Sequence, residues 1–388
     1  MNRKNSRGRI FEERGRRNEE GETKNDERFM LKKLKKFTRN MIAGANVATI
    51  VLMLLIGYSD RLDPMEFPRL TNIGLAFPLF LLINVGFLVF WLLFKKRFAL
   101  IPIAGFLIGY NPIRTYCPLN LPKTASDSTL KVLSYNVYFA HERVKDGTKE
   151  RVLDFLRQEN ADIVCLQEIY FKKDDYPTLH AMYPYVSSEY GSGGTDYITT
   201  LSRYPIIKRE DVPLEKKKGR HSTAVFLNID GDTVIIVNNH LASTMLTFDD
   251  RENFNKIVKG DYSGDFATKN SKRIAEKLAD GTIRRVPQVN ALVDFLHENK
   301  GKSIILCGDF NDGPISHSRY SIAQHLTDCY REAGNGPGIS YNDHHFYVRI
   351  DHIFCSDDWE PQSCKVMSKI KHSDHYPIVS RLKKRPKH

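Results

Sequence analysis

No pair of cysteines in this chain stands at the spacing of a zinc site, although six are present. Cys165, Cys307 and Cys355 lie in apolar strand-like runs, where buried free thiols are common. A P-loop is missing, which argues against nucleotide-driven phosphoryl transfer, and no internal repeat is visible. Also missing is a basic surplus where a nucleic-acid-binding domain would need one. The net charge of +12 belongs to the ends: residues 1–40 hold 14 Lys/Arg against 7 Asp/Glu, and the tail 383–388 holds four basic residues and no acids. Residues 41–114 hold 6 against 3, whereas residues 115–382 hold 34 against 36. The local basic runs at Glu215–Arg220 and Arg284–Arg285 read as solvated loops.

Long uncharged runs are what the sequence does have. A charged arm opens the chain, and residues 1–40 are expected to be largely disordered and cytoplasmic. The basic stretch LKKLKKFTRN then abuts Met41–Gly57, 17 residues without a charge, or about 26 Å as a helix. Gly74–Phe94 adds 21 uncharged residues and is stopped by Lys95–Arg97. A candidate third span lies at 98–112, where the apolar run Phe98–Tyr110 has only 13 residues and contains Pro102. The lengths and basic flanks fit membrane helices over residues 41–114. A cleaved signal peptide is disfavoured, because no small-x-small site follows the first run. With two crossings the rest of the chain is cytoplasmic; with three, the reading favoured here, it is extracytoplasmic.

From about residue 115 to 388 the pattern becomes short β-branched runs alternating with helical periodicity, as in an α/β domain with layered sheets. Helical spacing is clearest at Lys149–Asn160 and Val286–Leu296. Several strand-like runs end in a polar residue of catalytic type. Asn136 follows VLSY, Glu168 follows IVCLQ, His240 follows IIVNN, and Asp309 and Asn311 follow IILCG. Asp351 sits within RIDHIF, and Asp374 and His375 precede the last strand. One such end is a turn; repeated ends suggest a site at a sheet edge. Carboxylates and an amide oxygen suit Mg²⁺ or Mn²⁺, and histidines beside carboxylates suit proton transfer. Phosphoester hydrolysis needs both. An EF-hand fails on register, since Gly313 occupies a ligand position of DFNDGPIS and no Glu closes the loop.

Taken in order, LSYNV, IVCLQE, NNHLAS, CGDFND, RIDHIF and SDHYPI resemble the endonuclease/exonuclease/phosphatase superfamily, the deoxyribonuclease I-like fold. The apolar region resembles the amino-terminal hairpins of its bacterial membrane-anchored members. That resemblance implies a four-layer α/β sandwich of two mostly antiparallel sheets flanked by helices, preceded by transmembrane helices. It implies Asn136, Glu168 and Asp374 at a Mg²⁺ (or Mn²⁺) site, with Glu168 the principal ligand. Asp309 would orient or deprotonate the attacking water, and Asn311 would hold that water or the phosphate. His375, oriented by Asp351, would contact the scissile phosphate. His240 would stabilise the transition state or protonate the leaving oxygen, and a His there leans towards phosphodiesters. The implied protein is a phosphoesterase of the bacterial inner membrane. Its expected partners are the lipid bilayer and a nucleic-acid or phospholipid-type diester, with no protein partner. The alternative is a non-catalytic scaffold of the same fold that binds a phosphorylated ligand. Phe248, Phe254, Tyr262 and Phe266, in the segment Ser243–Pro287, are candidates for base or lipid contact or for local packing.

Overall fold

The computed structural model describes residues 4–123, 128–138, 148–169, 171–188, 198–212, 222–258, 264–343 and 346–386. It divides into two compact units, Met1–Met53 with Leu79–Ile108, and Leu54–Pro78 with Gly109–His388.

The first unit is built from α1 (Lys4–Gly57), α2 (Phe77–Phe94) and α3 (Leu100–Ile108). Two helical stretches, Arg28–Arg61 and Thr71–Phe94, are long and apolar enough to cross a membrane, their most apolar 18-residue windows having mean hydropathies of 2.0 and 2.4. The charged arm, expected to be disordered, is instead part of α1 from Lys4 onward. Its sequence supplies a reason: it contains no proline, and Glu12–Arg16, Glu13–Arg17 and Glu20–Lys24 stand at the i,i+4 spacing that favours a helix. Helix cost lies in nucleation, and the adjoining apolar helix removes that cost. Within this unit the polar side chains turn towards one another. The Asn46 amide donates to Asn84 Oδ1 at 3.0 Å, Trp91 Nε1 donates to Asn46 Oδ1 at 3.2 Å, and all three residues are buried.

The second unit begins its regular structure with α4 (Tyr110–Tyr116). Then follow β1 (Leu130–Asn136), α5 (Thr148–Glu159), β2 (Ile163–Gln167), α6 (Tyr176–Met182), β3 (Tyr185–Ser188) and β4 (Ile198–Ser202). Next come β5 (Ile206–Val212), β6 (Ser222–Ile229), β7 (Asp232–His240), α7 (Phe248–Val258), α8 (Gly264–Glu298) and β8 (Ser303–Asp309). The chain closes through α9 (His317–Ala323), β9 (Thr327–Asp328), α10 (Cys329–Ala333), the hairpin β10 (Tyr341–Asp343) and β11 (Phe346–Val348), then β12 (Asp351–Cys355), β13 (Trp359–Val366) and β14 (Ile378–Lys384).

These strands make two six-stranded sheets, ordered β13-β14-β1-β2-β4-β3 and β5-β6-β7-β8-β12-β9. Each has one parallel pair, β1 with β2 and β7 with β8, among antiparallel neighbours. Strand alternation explains the layering. In β8, Ile305 and Cys307 face the other sheet, while Ile304 and Leu306 pack against Val289, Leu292 and Leu296 of α8. In β1, Val132 faces inward, while Leu133 and Tyr135 pack against Val152, Phe155 and Leu156 of α5. Helix, sheet, sheet and helix give the four expected layers. All six cysteines are free thiols, and five are buried in the apolar layer between the sheets. Gly308 answers a question of sequence: its φ is +139°, and a Cβ there would lie 1.9 Å from the carbonyl oxygen of Asn239 on β7. Only glycine lets the parallel pair close just before Asp309.

Two buried groups beneath the site make stability depend on pH. His352 of β12 is fully buried, and burial pushes its pKa down to about 4. Burial opposes ionisation of Asp328 too, but the Arg319 guanidinium, 2.8 Å away, outweighs it and holds the carboxyl at about 2. Both folded pKa values lie below their unfolded ones, so the unfolded chain binds more protons as pH falls. The stability these two groups contribute is complete above about pH 6.5, declines through His352 towards pH 4, and declines further through Asp328 towards pH 2. The expected His352 contribution is up to about 3 kcal/mol. His352→Gln should therefore flatten the melting temperature between pH 7 and pH 4.5; an equally steep acid decline in this variant would remove His352 as the cause.

Candidate active site

The two parallel pairs bring polar strand ends to one edge. Register sets Asn136 beside Gln167, with Glu168 one residue further, and sets His240 beside Asp309. Across the antiparallel pair, Asp351 stands opposite Asp309. The two sheets meet here: Asn136 Nδ2 donates to Glu168 Oε1 and to Asp309 Oδ2, each at 3.0 Å. One level below, the Gln167 amide donates to Asn238 Oδ1 at 2.7 Å, a buried polar bridge between the sheets.

Asp309 is the hub, and only 1% of it is exposed. Its Oδ1 accepts the Asn311 backbone N–H at 2.7 Å. Its Oδ2 accepts from the Asn311 side chain at 3.2 Å and lies 3.6 Å from His240 Nε2 and 3.7 Å from His375 Nε2. His240 Nε2 is also 3.4 Å from Glu168 Oε1. Glu168, His240 and Asp309 thus form one group whose ligand atoms all lie within 4.8 Å of one another, and Asp309, Asp351 and His375 form a second. Glu168 and Asn311 both adopt left-handed backbone, with φ of +54° and +50°. Such conformations cost about 1–3 kcal/mol each and persist where surrounding structure enforces them.

Electrostatics sorts the groups. Burial pushes Glu168 up to about 7; the Asn136 hydrogen bond opposes this, and the charges of Asp309 and Asp374 add to it. Burial alone would push His375 down, but Asp351, Asp309 and Asp374 together hold its imidazole well above the usual histidine value. His375 Nδ1 lies 2.8 Å from Asp351 Oδ2. Asp351 is fixed in turn by its backbone N–H donating to Ser340 Oγ at 3.0 Å. The result is an imidazolium with one nitrogen pinned and the other aimed at the hub.

Of the eight residues singled out from sequence, seven converge directly. Asn136 joins the two carboxylates: its Nδ2 donates to both, and its Oδ1 accepts the Tyr138 backbone N–H at 3.1 Å. Asp374 stays outside both close groups; it is half-buried, bonded to Ser373, and acts on Glu168 and His375 through its charge. Two contributors escaped the sequence. Ser373 donates to the Asn136 carbonyl at 2.9 Å and accepts the His375 N–H at 3.1 Å, tying the last motif to the first. The Tyr341 ring meets His375 at 4.9 Å, nearly edge-on, and confines the imidazole. The aromatic candidates of 243–287 divide: Phe254 packs locally on Phe346 at 5.5 Å, Phe248 is exposed, and Tyr262 and the Phe266 side chain lie outside the described residues.

The chain belongs to the Endonuclease/Exonuclease/phosphatase family, which residues 133–375 match. All eight singled-out residues lie within that match. Residues 39–116 match a domain family of unknown function. Among solved structures, the endonuclease/exonuclease/phosphatase from Bacteroides vulgatus is similar at 17% identity and a TM-score of 0.49, over 67% of this chain and 100% of that one. The family protein from Bacteroides thetaiotaomicron is similar at 20% identity and a TM-score of 0.47, over 66% and 98%. Truncated TDP2 from Caenorhabditis elegans is similar at 16% identity and a TM-score of 0.45, over 66% and 97%. No curated protein matches the chain.

Proposed function

We propose that this protein is a membrane-anchored, divalent-metal-dependent phosphodiesterase. The observation that carries the reading is the doubly shared Asp309 carboxylate, which joins a carboxylate-rich group to an imidazolium oriented by a buried acid. The donor set fits a hard divalent cation: Glu168 and Asp309 would hold it, and burial first, then the charges of Asp309 and Asp374, raise the Glu168 carboxyl to about 7, which a bound cation would offset. Such a cation supplies charge compensation on the phosphoryl oxygens. Asp309 takes the proton of the attacking water. Its acceptor geometry is set by the Asn136 and Asn311 amides. His375, charged and held by Asp351, binds the phosphate oxygen, and His240 at the opposite side of the hub gives a proton to the leaving oxygen. The check is hydrolysis by the full chain in detergent. Bis-p-nitrophenyl phosphate should be cleaved with Mg²⁺ and not with EDTA, and faster than p-nitrophenyl phosphate. Monoester preference would transfer the reading to a phosphatase, and metal-independent cleavage would end it.

The anchoring reading rests on an inside-out distribution. Leu82, Val89, Leu92 and Leu93 of α2 are exposed, whereas Asn46, Asn84 and Trp91 are buried on one another. The segment 54–78 between the two long apolar helices falls in the same compact unit as residues 109–388. Lys32–Arg39 and Lys95–Arg97 favour the cytoplasm, and a third crossing after them would make the domain extracytoplasmic. Protease added to intact cells should then degrade the domain; full protection would put it inside.

A further inference from the structure

The segment between the two long apolar helices is bound to the catalytic layers at several points. The Asn72 amide donates to Thr282 of α8 at 3.0 Å, Arg69 pairs with Glu276 of α8 at 3.6 Å, and the Arg61 guanidinium lies over Tyr320 of α9. Gly74 approaches the loop after β8 so closely that a Cβ would lie 2.2 Å from the Ile315 carbonyl oxygen. Leu75 packs with Phe346 against Tyr341, Val348 and Ile350. Tyr341 of that cluster touches His375, so the segment joins the apolar cluster beside the catalytic imidazole.

Between the segment and the rim lies a narrow cleft with a free volume of about 80 Å³, partly open to solvent. Leu75, Pro78, Ile315, Phe346, Tyr347 and Val348 give it an apolar wall, and Asn311 of the catalytic cluster lines it too. Pro78 stands in the first turn of α2, so the cleft borders the point where the second span starts. Large apolar side chains stay exposed on the elements that supply this wall and on their continuations: Met65, Phe67 and Leu70 on the segment, Met245 and Phe248 after β7, Tyr347 on β11, each between 43% and 59% exposed. That pattern suits an interface with lipid better than one with water. A polyanionic backbone finds less here: Arg285, in the wall, is ion-paired with Asp312 at 3.2 Å, and residues 115–382 carry no positive surplus.

We propose, resting on the phosphodiesterase reading, that the substrate is a phosphodiester lipid of the bilayer. Its phosphate reaches the cluster around Asp309 while its acyl chains lie along the cleft walled by the inter-span segment. Water adds its oxygen to phosphorus, one ester P–O bond breaks, and the departing oxygen takes a proton, leaving a phosphomonoester and an alcohol. The segment joining α1 to α2 is therefore part of the substrate site, and Leu75 and Tyr347 determine specificity without touching the reacting atoms.

The experiment uses the full chain reconstituted with Mg²⁺ in vesicles of phosphatidylcholine, phosphatidylethanolamine or phosphatidylglycerol. Products are read by mass spectrometry, beside bis-p-nitrophenyl phosphate and a single-stranded oligonucleotide. Wild type should cleave at least one vesicle lipid. Leu75→Asp and the surface change Tyr347→Asp should lower lipid turnover about tenfold or more, and lower the ratio of lipid to soluble-diester turnover about fivefold or more. Cleavage of the soluble diester or the oligonucleotide with every lipid untouched would overturn the lipid assignment and leave the phosphodiesterase reading standing. Equal losses on lipid and soluble diester in both variants would also overturn it. Inactivity on all substrates removes both readings together.

Discussion

Replacing Asp351 by Asn should reduce turnover by about 10³–10⁴-fold while the protein still folds. The carboxylate sits 2.8 Å from His375 Nδ1 and is 1% exposed, so no solvent competes for the hydrogen bond. With Asn in its place the partner is uncharged, and its amide can turn a donor towards the ring. The imidazole then loses the largest of the charges that oppose its burial, and its pKa falls from well above the usual value. Two effects coincide: the cation facing phosphate is lost, and so is the fixed ring orientation. The backbone N–H of Asp351 still bonds Ser340, and the β12–β8 register does not involve the side chain. A melting curve near that of wild type beside a collapsed kcat is expected. The fraction of activity lost should shrink at low pH, where any imidazole is protonated. A rate within a few-fold of wild type at neutral pH would refute the pairing.

Replacing Glu168 by Gln should separate function from stability. The side chain is the raised carboxyl of the cluster, at about 7, because burial and the neighbouring acids disfavour its charge. At higher pH the metal-free fold must carry that charge, at a cost of up to about 3 kcal/mol relative to the unfolded chain. Gln fills the same volume without it. Metal-free Glu168→Gln protein should thus melt above metal-free wild type at pH 8, with the difference vanishing below about pH 5. Its activity should go the opposite way. Changes to outer-shell partners cost about 10–100-fold in metal affinity, and loss of a direct carboxylate ligand should cost at least that. Titrating Mg²⁺ against turnover and against melting temperature reads both arms. Unchanged Mg²⁺ dependence in the variant would remove Glu168 from the metal site.

Much of this was written in the sequence as residue type and position. The unbroken apolar runs IILC and IVCL identify buried strands, because a strand covered on both faces has little room for polar side chains until it nears its end. Asp309 and Glu168 mark those exits, and the 17- and 21-residue uncharged runs mark helices too apolar for an aqueous surface. Local chemistry settles such features, since each depends on neighbours a few residues away.

What the fold alone decided is which exits meet, and what surrounds them. The Asn136–Asp309 bond joins residues 173 apart, the Ser373–Asn136 bond 237 apart, and the Asn72–Thr282 bond 210 apart. No periodicity encodes separations of that kind; they follow from strand order, register and the closeness that Gly308 and Gly74 permit. Asn136 could be picked from its type, but only the fold shows that its amide bonds Glu168 and Asp309 at once. Tyr341 and Leu75 carry no catalytic signature at all. Their roles arise because packing places an ordinary aromatic ring against His375, and an ordinary leucine in the apolar cluster that holds that ring.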